Sequence, residues 1–477
     1  MNRLPRRELG LALVCCGLLM MEICLTKIFS IVLWYHFGFL AVSTALLGFA
    51  SSGVYLTLRD RRLTGGDADG AIAGAAAVAA VATVASLWLV TQTSFDVYSL
   101  VSDRTVGTLF AFVLWVTLPF FFLGLVISRT LSAFPERVNW LYGADLVGSA
   151  AGCGLAVWVL NAGVSGQQAI LIAAALVGAG GLLFAGRRRA MQARGILALT
   201  VPLLTLLLVD TESAFALRAP RSKPYSRVEA LAENRRAGEA RWLRGKLYMK
   251  DGRVLEVESP DPLRLSADKK SALVDTDDGP RTVLLSDVRR NSAGLPDFKL
   301  LEWSPFRRWS SLSRVDAFHW PAAHGSWGLW GLSNRFAEDG VTVPRQKGIT
   351  IDAWAMTSIM RYSGKPLQPA GDPLVDAERE KLRILEYLPA GTVHHVKKDI
   401  ESIVCLGAGG GLDVLTAKYY GAKTIIGVEI NPGVAQAARE AFPEFGGYLY
   451  DPARHPDVEL HVAEGRHFLE RSEESYD

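Results

Sequence analysis

The chain has 477 residues, a formal net charge of +3 and a composition in which 50% of the residues are hydrophobic. This length allows two to four domains, and so small a net charge gives no support to a nucleic-acid-binding protein. The apolar residues concentrate in the first 210 positions. We therefore expect a membrane domain over residues 1–210, a more polar remainder and no nucleic-acid partner.

Six apolar runs follow one another before position 186. Each has about 20 residues, enough for a helix that spans the hydrocarbon core of a bilayer. The first run is too long for the core of a signal peptide, and a second run follows it almost directly. The runs are Leu9 to Val32, Phe37 to Leu56, Ala71 to Val90, Gly107 to Ser128, Leu141 to Asn161 and Gln168 to Ala185.

A seventh apolar run, residues 195–209, is shorter and contains Pro202, so it fits a short span, a re-entrant segment or an interfacial helix. Arginine concentrates after the second, fourth and sixth runs, which predicts that these connections and the N-terminus are cytoplasmic. Six spans would leave the C-terminal part in the cytoplasm, whereas a seventh would place it outside. These arginines are Arg59, Arg61, Arg62, Arg129, Arg137, Arg187, Arg188, Arg189 and Arg194.

Some residues within the runs are unusual for a membrane span. Glu22, Lys27 and Asp145 are ionisable and therefore costly there. Three alternatives are open: Lys27 snorkels to the membrane surface, the three form a structural ion pair, or they form a substrate or proton site. Gly148 and Gly152 form a GxxxG pair, which predicts close helix packing. The five cysteines show neither metal-ligand spacing nor a disulfide framework, so we expect no metal site.

The polar remainder divides by composition. Residues 211–240 are a basic linker with prolines, and residues 241–295 predict a small all-β insert with an Asp251-Gly252 hairpin turn. Residues 296–370 are a second β-rich segment that contains six tryptophans. We expect most of these tryptophans to pack in the core and one or two to line a substrate pocket, since aromatic faces attract cations.

Residues 371–477 predict an α/β nucleotide-binding domain. An amphipathic helix from Asp376 to Leu388 leads into it, and its first strand ends before the Gly-Ala-Gly-Gly-Gly sequence of residues 407–411. A helix and a second strand follow, and the second strand ends at Glu429, 18 positions after Gly411. A carboxylate at this position can accept hydrogen bonds from ribose hydroxyls, although the glycine spacing is not the GxGxxG of dinucleotide sites.

The later elements extend this pattern. A helix starts at Asn431-Pro432, a strand runs from Val458 to Val462, and Tyr476-Asp477 has the pattern of the start of a fourth strand. The order VCLGAGGGLDV, IIGVEINP, VELHVAEGRHFL and YD resembles the S-adenosylmethionine-binding fold of class I methyltransferases. Within that class it most resembles the spermidine synthase (polyamine aminopropyltransferase) family.

Other segments carry the same resemblance. MEICLTKIFS and LYGADLVGSAAGCG are similar to segments of membrane-embedded spermidine-synthase-like proteins. LEWSPFRRW, SLSRVDAF and GITIDAW resemble the β-rich segment that covers the active site of aminopropyltransferases and helps them to form homo-oligomers. The implied fold is a multi-span α-helical membrane domain, a β-rich segment and an α/β Rossmann-like domain of the class I methyltransferase type.

The resemblance also implies a cofactor site. Gly407, Gly409 and Gly411 would line the methionine end of S-adenosylmethionine or decarboxylated S-adenosylmethionine. Glu429 would hold the ribose, and Glu464 would lie near the adenine amino group. A further carboxylate of the expected site is Asp413, which follows the glycine turn by one helical turn.

The sequence departs from the aminopropyltransferase pattern at two points. The family carries an aspartate in the glycine turn that binds the aminopropyl amine, and Gly410 stands there instead. The catalytic acid of the family follows the fourth strand, and no residue of this chain has that position, so the catalytic residues stay unassigned. We expect a truncated chain with an incomplete α/β sheet.

Three functions remain open. The first is a membrane-bound transferase that moves an aminopropyl group from decarboxylated S-adenosylmethionine to a small amine, as in polyamine biosynthesis. The second is a membrane-tethered S-adenosylmethionine-dependent methyltransferase with a small-molecule methyl acceptor. The third is a non-catalytic transporter or scaffold with a nucleoside-sensing domain. We expect a transferase in the bacterial inner membrane, with its C-terminal domain in the cytoplasm, where the cofactor is made.

Overall fold

The computed structural model divides into two compact units, Met1–Ser226 with Trp309–Ser313, and Arg227–Arg308 with Arg314–Asp477. The seventh apolar run lies outside the described residues apart from Gly195. The structure describes residues 6–59, 68–93, 103–185, 195, 211–220, 223–226, 228, 241–261, 264–265, 270–276, 279–290, 297–300, 304–319, 329–397 and 399–477.

Six long helices form most of the first unit, and all six are long and apolar enough to cross a membrane. This confirms the six apolar runs as candidate membrane spans and is compatible with contact with a lipid bilayer. A short helix, α7 (Thr211–Ala214), follows them. The six are α1 (Arg6–Val32), α2 (Gly38–Arg59), α3 (Ala68–Gln92), α4 (Asp103–Ala133), α5 (Val138–Asn161) and α6 (Gly166–Ala185).

Glycine allows α5 to lie directly against α1. A β carbon on Gly148 would stand 2.2 Å from the carbonyl oxygen of Ala12. A β carbon on Gly152 would stand 2.3 Å from the carbonyl oxygen of Cys16. The GxxxG pair therefore packs the helices, because any side chain at either position would separate the two backbones.

Ion pairs join the helix ends on the side where α1 begins. Arg7 Nη2 lies 2.9 Å from the carboxylate of Asp69 at the start of α3. Arg137, just before α5, lies 2.7 Å from the carboxylate of Glu8. Helix α2 ends on this side at Arg59. We call this side, defined by Arg7, Arg59 and Arg137, the arginine end.

Residues 211–226 contact the opposite side of the bundle, the far end, where α1 and α5 end and α6 begins. The side-chain amide of Gln167 donates to the carbonyl of Phe215 at 3.2 Å. The ammonium of Lys223 donates to the carbonyls of Ser30 and Ile31. Helix α6 ends at the arginine end, whereas the residues that follow α7 contact the far end.

Residues 309–313 also contact the far end. The N–H of Ser311 donates to Asn161 Oδ1 at 2.9 Å. Lys27 Nζ donates to the carbonyl of Leu312 at 3.0 Å, so one of the three ionisable residues of the spans is satisfied by backbone. These bonds fix the last turns of α1 and α5.

The second unit contains three sheets. The first is antiparallel, with the strand order β3-β4-β2-β1-β6 and β5 paired with β4. Its β1–β2 hairpin has the predicted Asp251-Gly252 turn, where Gly252 has a φ of +87° that favours glycine. Its strands are β1 (Arg241–Tyr248), β2 (Val254–Asp261), β3 (Arg264–Leu265), β4 (Ser271–Thr276), β5 (Gly279–Leu284) and β6 (Phe298–Leu300).

The second sheet has the order β10-β9-β8-β7, and the third is parallel with the order β11-β12-β13. Apolar residues of one helix, α12, pack against the second sheet in one core cluster. The strands are β7 (Phe306–Trp309), β8 (Arg314–His319), β9 (Gln346–Ile351), β10 (Ala355–Met360), β11 (Ser402–Leu406), β12 (Thr424–Glu429) and β13 (Val458–Val462). The helices are α8 (Arg335–Glu338), α9 (Pro373–Lys381), α10 (Thr392–Val396), α11 (Leu412–Tyr420), α12 (Pro432–Glu440) and α13 (Gly465–Arg471).

Two elements differ from the prediction. The helix expected from Asp376 to Leu388 ends at Lys381 and continues as a 3-10 helix, Arg383–Tyr387. The tighter turn buries Leu385 completely in the core. Tyr476 and Asp477 form no strand, but the N–H of Asp477 donates to the carbonyl of Ser402, at the edge of β11 that β12 leaves open.

We expect Gly152→Ala to destabilise the bundle, because its β carbon would force α1 and α5 apart at a cost of about 1–3 kcal/mol. Gly154→Ala is the matched control, since no atom lies within 4 Å of its β-carbon position. Thermal unfolding of the full chain in detergent, followed by circular dichroism, should show a lower midpoint for Gly152→Ala alone. Equal midpoints for both variants would contradict the close contact.

Candidate functional site

The glycine turn between β11 and α11 has a backbone that only glycine adopts readily. Gly407, Gly409 and Gly411 have φ values of +77°, +54° and +94°. These angles lie in the left-handed region, where a β carbon is strained. At Gly409 a β carbon would also stand 2.6 Å from the hydroxyl of Thr357 on β10. The three predicted glycines are therefore required by the conformation of the turn.

All five backbone N–H groups of the turn have partners within the protein. A phosphate-binding turn directs such groups at its ligand, so this turn has no unpaired donor for an anion. The bonds run from Gly407 and Ala408 to the Val428 carbonyl at 2.8 and 3.0 Å, from Gly409 to Glu429 at 3.0 Å, from Gly410 to Thr357 at 2.9 Å, and from Gly411 to the Ala408 carbonyl at 2.9 Å.

Glu429 joins the end of β12 to the glycine turn. Its Oε2 accepts from the N–H of Gly409 at 3.0 Å, and its Oε1 accepts from the N–H of Asn431 at 2.9 Å. Only 6% of the residue is exposed. Each carboxylate oxygen can accept a further hydrogen bond. The structure thus brings the predicted ribose-binding carboxylate into contact with the predicted glycine turn.

Gly410 is explained by the strand that crosses the turn. A β carbon at this position would stand 2.2 Å from the carbonyl oxygen of Ser358 on β10. The nearest atoms all belong to the backbone of β10, which cannot move aside for a β carbon as the end of a flexible side chain could. The aspartate that aminopropyltransferases carry at the corresponding position would therefore not fit in this fold.

A cavity of about 330 Å³ opens beside the turn, and Asp413 lies at its wall. Trp330 forms another wall, with its indole N–H donating to the Met356 carbonyl at 3.3 Å. Among the described residues that line this cavity, Asp413 is the one ionisable side chain, and none is Lys or Arg. Partial desolvation raises the pKa of the Asp413 carboxyl above its usual value. The cavity therefore suits a cationic group better than an anionic one.

Glu464 caps the helix that follows β13. Its carboxylate accepts from the N–H groups of Arg466 and His467 at 3.2 and 2.8 Å, which lowers the pKa of this carboxyl. Glu429 pairs with Val462 in the parallel sheet, so Glu464 follows at the same sheet edge. Its hydrogen bonds are those of a helix cap, and a role at the adenine stays a prediction.

Sequence reasoning missed two residues of the site. Thr357 holds the turn from β10, and Trp330 lines the cavity. Tryptophan was expected in a pocket, but nothing in the sequence distinguishes Trp330 from the other five tryptophans of its segment. Thr357 lies 50 positions before the turn, and only the fold brings the two together.

The ionisable residues of the membrane spans do not form a joint site. Lys27 binds the Leu312 carbonyl, and Asp145 lies 3.5 Å from the hydroxyl of Ser149 on its own helix. In the part of the chain that the structure describes, no hydrogen bond or ion pair connects Glu22, Lys27 and Asp145 with one another. The described contacts therefore do not include the ion pair that was one of the alternatives for these residues.

Comparisons of the chain with protein-family models, with curated proteins and with solved structures gave no match in any of the three. The function is therefore inferred from the geometry of the site and from the sequence pattern.

We expect Glu429→Gln to loosen the glycine turn, because one of its two backbone donors would face an amide NH₂ group instead of an oxygen. A hydrogen bond lost this way costs about 1–3 kcal/mol. Hydrogen exchange of the full chain, measured by mass spectrometry, should show faster exchange at residues 407–411 and 431. Glu464→Gln is the control and should leave those amides protected; unchanged protection in both variants would refute the bridging role.

Proposed function

We propose that the chain is a membrane-bound transferase whose glycine turn binds an S-adenosylmethionine-type co-substrate. Three features support this. The parallel strands run in the order β11-β12-β13, the glycine turn follows the first strand, and Glu429 ends the second. This arrangement resembles that of Rossmann-like nucleotide-binding domains, in which the ligand lies beyond the carboxyl ends of the strands.

The charge of the Asp413 cavity favours the decarboxylated co-substrate. Decarboxylated S-adenosylmethionine ends in an ammonium group and carries a sulfonium, so both of its charged groups are cations. Asp413 supplies a carboxylate for the ammonium, and the Trp330 ring offers an aromatic face to a cation. Intact S-adenosylmethionine also carries a carboxylate, which would meet neither a basic side chain of the described lining nor an unpaired N–H of the turn.

The proposed reaction is therefore aminopropyl transfer. The acceptor amine attacks the methylene carbon bonded to the sulfonium, and a new C–N bond forms as the C–S bond breaks. The sulfur leaves as the neutral thioether of methylthioadenosine, and the amine loses one proton to a base. Asp413 would take the role of the aspartate that Gly410 replaces, from a position three residues further along the chain.

Gly410 favours a second candidate, a methyltransferase that uses intact S-adenosylmethionine. The backbone of Ser358 fills the space where aminopropyltransferases place a carboxylate. With no carboxylate there, nothing repels the carboxylate of a methionine group at that point of the turn. The acceptor would be a membrane-accessible small molecule.

The third hypothesis, a transporter or scaffold that senses a nucleoside, stays a prediction. No described contact unites Glu22, Lys27 and Asp145, so no specific observation favours transport.

We expect the full chain in detergent to bind decarboxylated S-adenosylmethionine more tightly than the intact form in calorimetric titrations. Asp413→Asn should weaken binding of the decarboxylated form about tenfold or more, because a charge-assisted hydrogen bond contributes about 1.5–3 kcal/mol. Glu440→Gln removes the same charge from the surface of α12 and should have no effect.

Each other outcome has a defined meaning. Tighter binding of the intact form would support the methyltransferase. Binding that is equal in Asp413→Asn would remove Asp413 from the site. Binding of neither compound by the folded chain would refute both enzyme proposals.

The side of the membrane is a separate question. A cytoplasmic co-substrate requires residues 211–226 to face the cytoplasm, and these residues contact the far end of the bundle. The positive-inside pattern instead predicts a cytoplasmic arginine end, which is the opposite end. A cytoplasmic far end and a cytoplasmic arginine end exclude each other. The bacterial inner membrane stays a prediction.

Single cysteines at two exposed positions, introduced into a chain whose five native cysteines are replaced by serine, distinguish the two orientations of the bundle. Glu136→Cys marks the arginine end and Ala216→Cys the far end, and we expect the two to lie on opposite faces of the membrane. A membrane-impermeant maleimide applied to intact and to opened cells reports the face of each. Protection of Ala216→Cys in intact cells is required by the proposed enzyme; its labelling there would contradict a cytoplasmic C-terminal part. Labelling of both positions from one face would contradict the arrangement of the bundle.

A further inference from the structure

A cavity of about 780 Å³ lies within the second unit, between the antiparallel insert sheet and the sheet that contains β8 and β9. The segment that follows α12 closes it with Phe442 and Phe445. Its volume is in the range of cavities that hold metabolite-sized ligands. None of the residues assigned above to the nucleotide site lines it.

Basic side chains dominate the ionisable lining of this cavity. Five cationic side chains face two carboxylates, Glu256 and Glu444. Two of the five are unusually buried for their type, with 3% of Arg244 and 2% of Lys347 exposed. Buried cations are costly unless anionic groups compensate them. The five cations are Arg244, Lys246, Arg281, Lys347 and Arg361.

Strand pairing holds these groups in place. Lys246 and Glu256 are cross-strand partners in the β1–β2 hairpin. The Glu256 carboxylate is shared, at 2.6 Å from Arg244 Nη2 and 3.6 Å from Lys246 Nζ. Lys347 is the cross-strand partner of His319 in the β8–β9 pair. Four of the five cations therefore project from regular strands, Arg244 and Lys246 from β1, Arg281 from β5 and Lys347 from β9, and Arg361 follows the end of β10.

His319 is a buried polar residue of the cavity lining. Only 5% of the residue is exposed. Its Nδ1 has no hydrogen-bond partner in the described part of the chain. Its ring packs edge-on against the ring of Phe442, with 4.6 Å between the two ring centroids. Burial, Lys347 and Arg244 hold the pKa of His319 well below its usual value, so the imidazole is neutral. A buried polar atom without a partner costs free energy, which a bound ligand with a hydrogen-bonding oxygen would recover.

We propose that this cavity binds a small ligand that bears a phosphate group. A phosphate group offers several acceptor oxygens and at least one negative charge, which suits Arg and Lys side chains that converge from different elements. The same charges would repel a polyamine, so the ligand is not the cationic acceptor of the proposed transfer. The phosphate belongs either to a soluble phosphorylated compound or to a phospholipid head group.

The cavity shares two lining residues with a smaller cavity that reaches the glycine turn. Pro443 and Tyr448 line both cavities, and the other wall of the smaller one, which has a volume of about 120 Å³, contains Gly410 and Gly411. A ligand that orders residues 443–448 would therefore contact the same segment that supports the turn.

The test is calorimetric titration of the full chain in a neutral detergent with inorganic pyrophosphate, at constant ionic strength maintained with chloride. We expect saturable binding that weakens about tenfold or more in Lys347→Gln and in Lys246→Gln. Lys246 is partly exposed, so its variant stays informative if the buried Lys347→Gln fails to fold. Lys423→Gln, whose lysine pairs with Glu401 elsewhere, is the control and should bind as the unmodified protein does.

A second experiment distinguishes a soluble phosphorylated compound from a phospholipid head group. Thermal stability is compared in nanodiscs of phosphatidylcholine with and without phosphatidylglycerol. Stabilisation by phosphatidylglycerol that Lys246→Gln abolishes, without pyrophosphate binding, assigns a lipid head group. Absence of both effects, or effects that persist in both cavity variants, overturns the proposal. Asp413→Asn should bind pyrophosphate normally, so failure of the transferase proposal would not be confused with failure of this one.

Discussion

The carboxylate of Glu429 is the contact on which the conformation of the glycine turn depends. It accepts one hydrogen bond from the glycine turn and one from the N–H that follows β12, so it fixes the carboxyl ends of two neighbouring strands relative to each other. From the other side, β10 presses on the turn through Thr357 and the backbone of Ser358. These contacts on both sides hold the turn in a conformation with positive φ at three positions, which are all glycine.

This close fit determines which ligand charge the site accepts. Because every N–H of the turn is already bonded within the protein, the turn cannot act as an anion cradle. Among the described residues that line the adjoining cavity, the one ionisable side chain is Asp413, and its carboxylate favours a cationic ligand. The cavity between the insert sheet and the β8–β9 pair has the opposite character, with buried Arg244 and Lys347. One unit thus contains two pockets of opposite charge preference, and a single ligand class would not suit both.

The sequence predicted what depends on local patterns and missed what depends on distant contacts. The lengths of the apolar runs predicted six helices. The glycine turn and its flanking strands could be predicted because glycine and β-branched residues occupy characteristic positions in the sequence. The absence of aspartate at Gly410 was visible, but its cause, the carbonyl of Ser358 on β10, is non-local. The same holds for the helix that ends at Lys381, where core burial of Leu385 overrides helical periodicity. His319 and Lys347 meet only through strand pairing, so no sequence signal marked their cavity.

The contacts of α1 help to distinguish a transporter, whose helices move against each other, from a static membrane anchor. Ion pairs through Arg7 and Glu8 hold its start, and Lys223 binds the carbonyls at its end. Between them its backbone touches α5 at Gly152 and α6 at Gly180, where a β carbon would stand 2.6 Å from the carbonyl oxygen of Gly10. Transporters of the alternating-access type move packed groups of helices against each other, which requires interfaces that can slide or rock. Backbone contacts with no room for one methyl group resist such sliding, so the packing of α1 favours a static membrane anchor over a bundle that moves a solute.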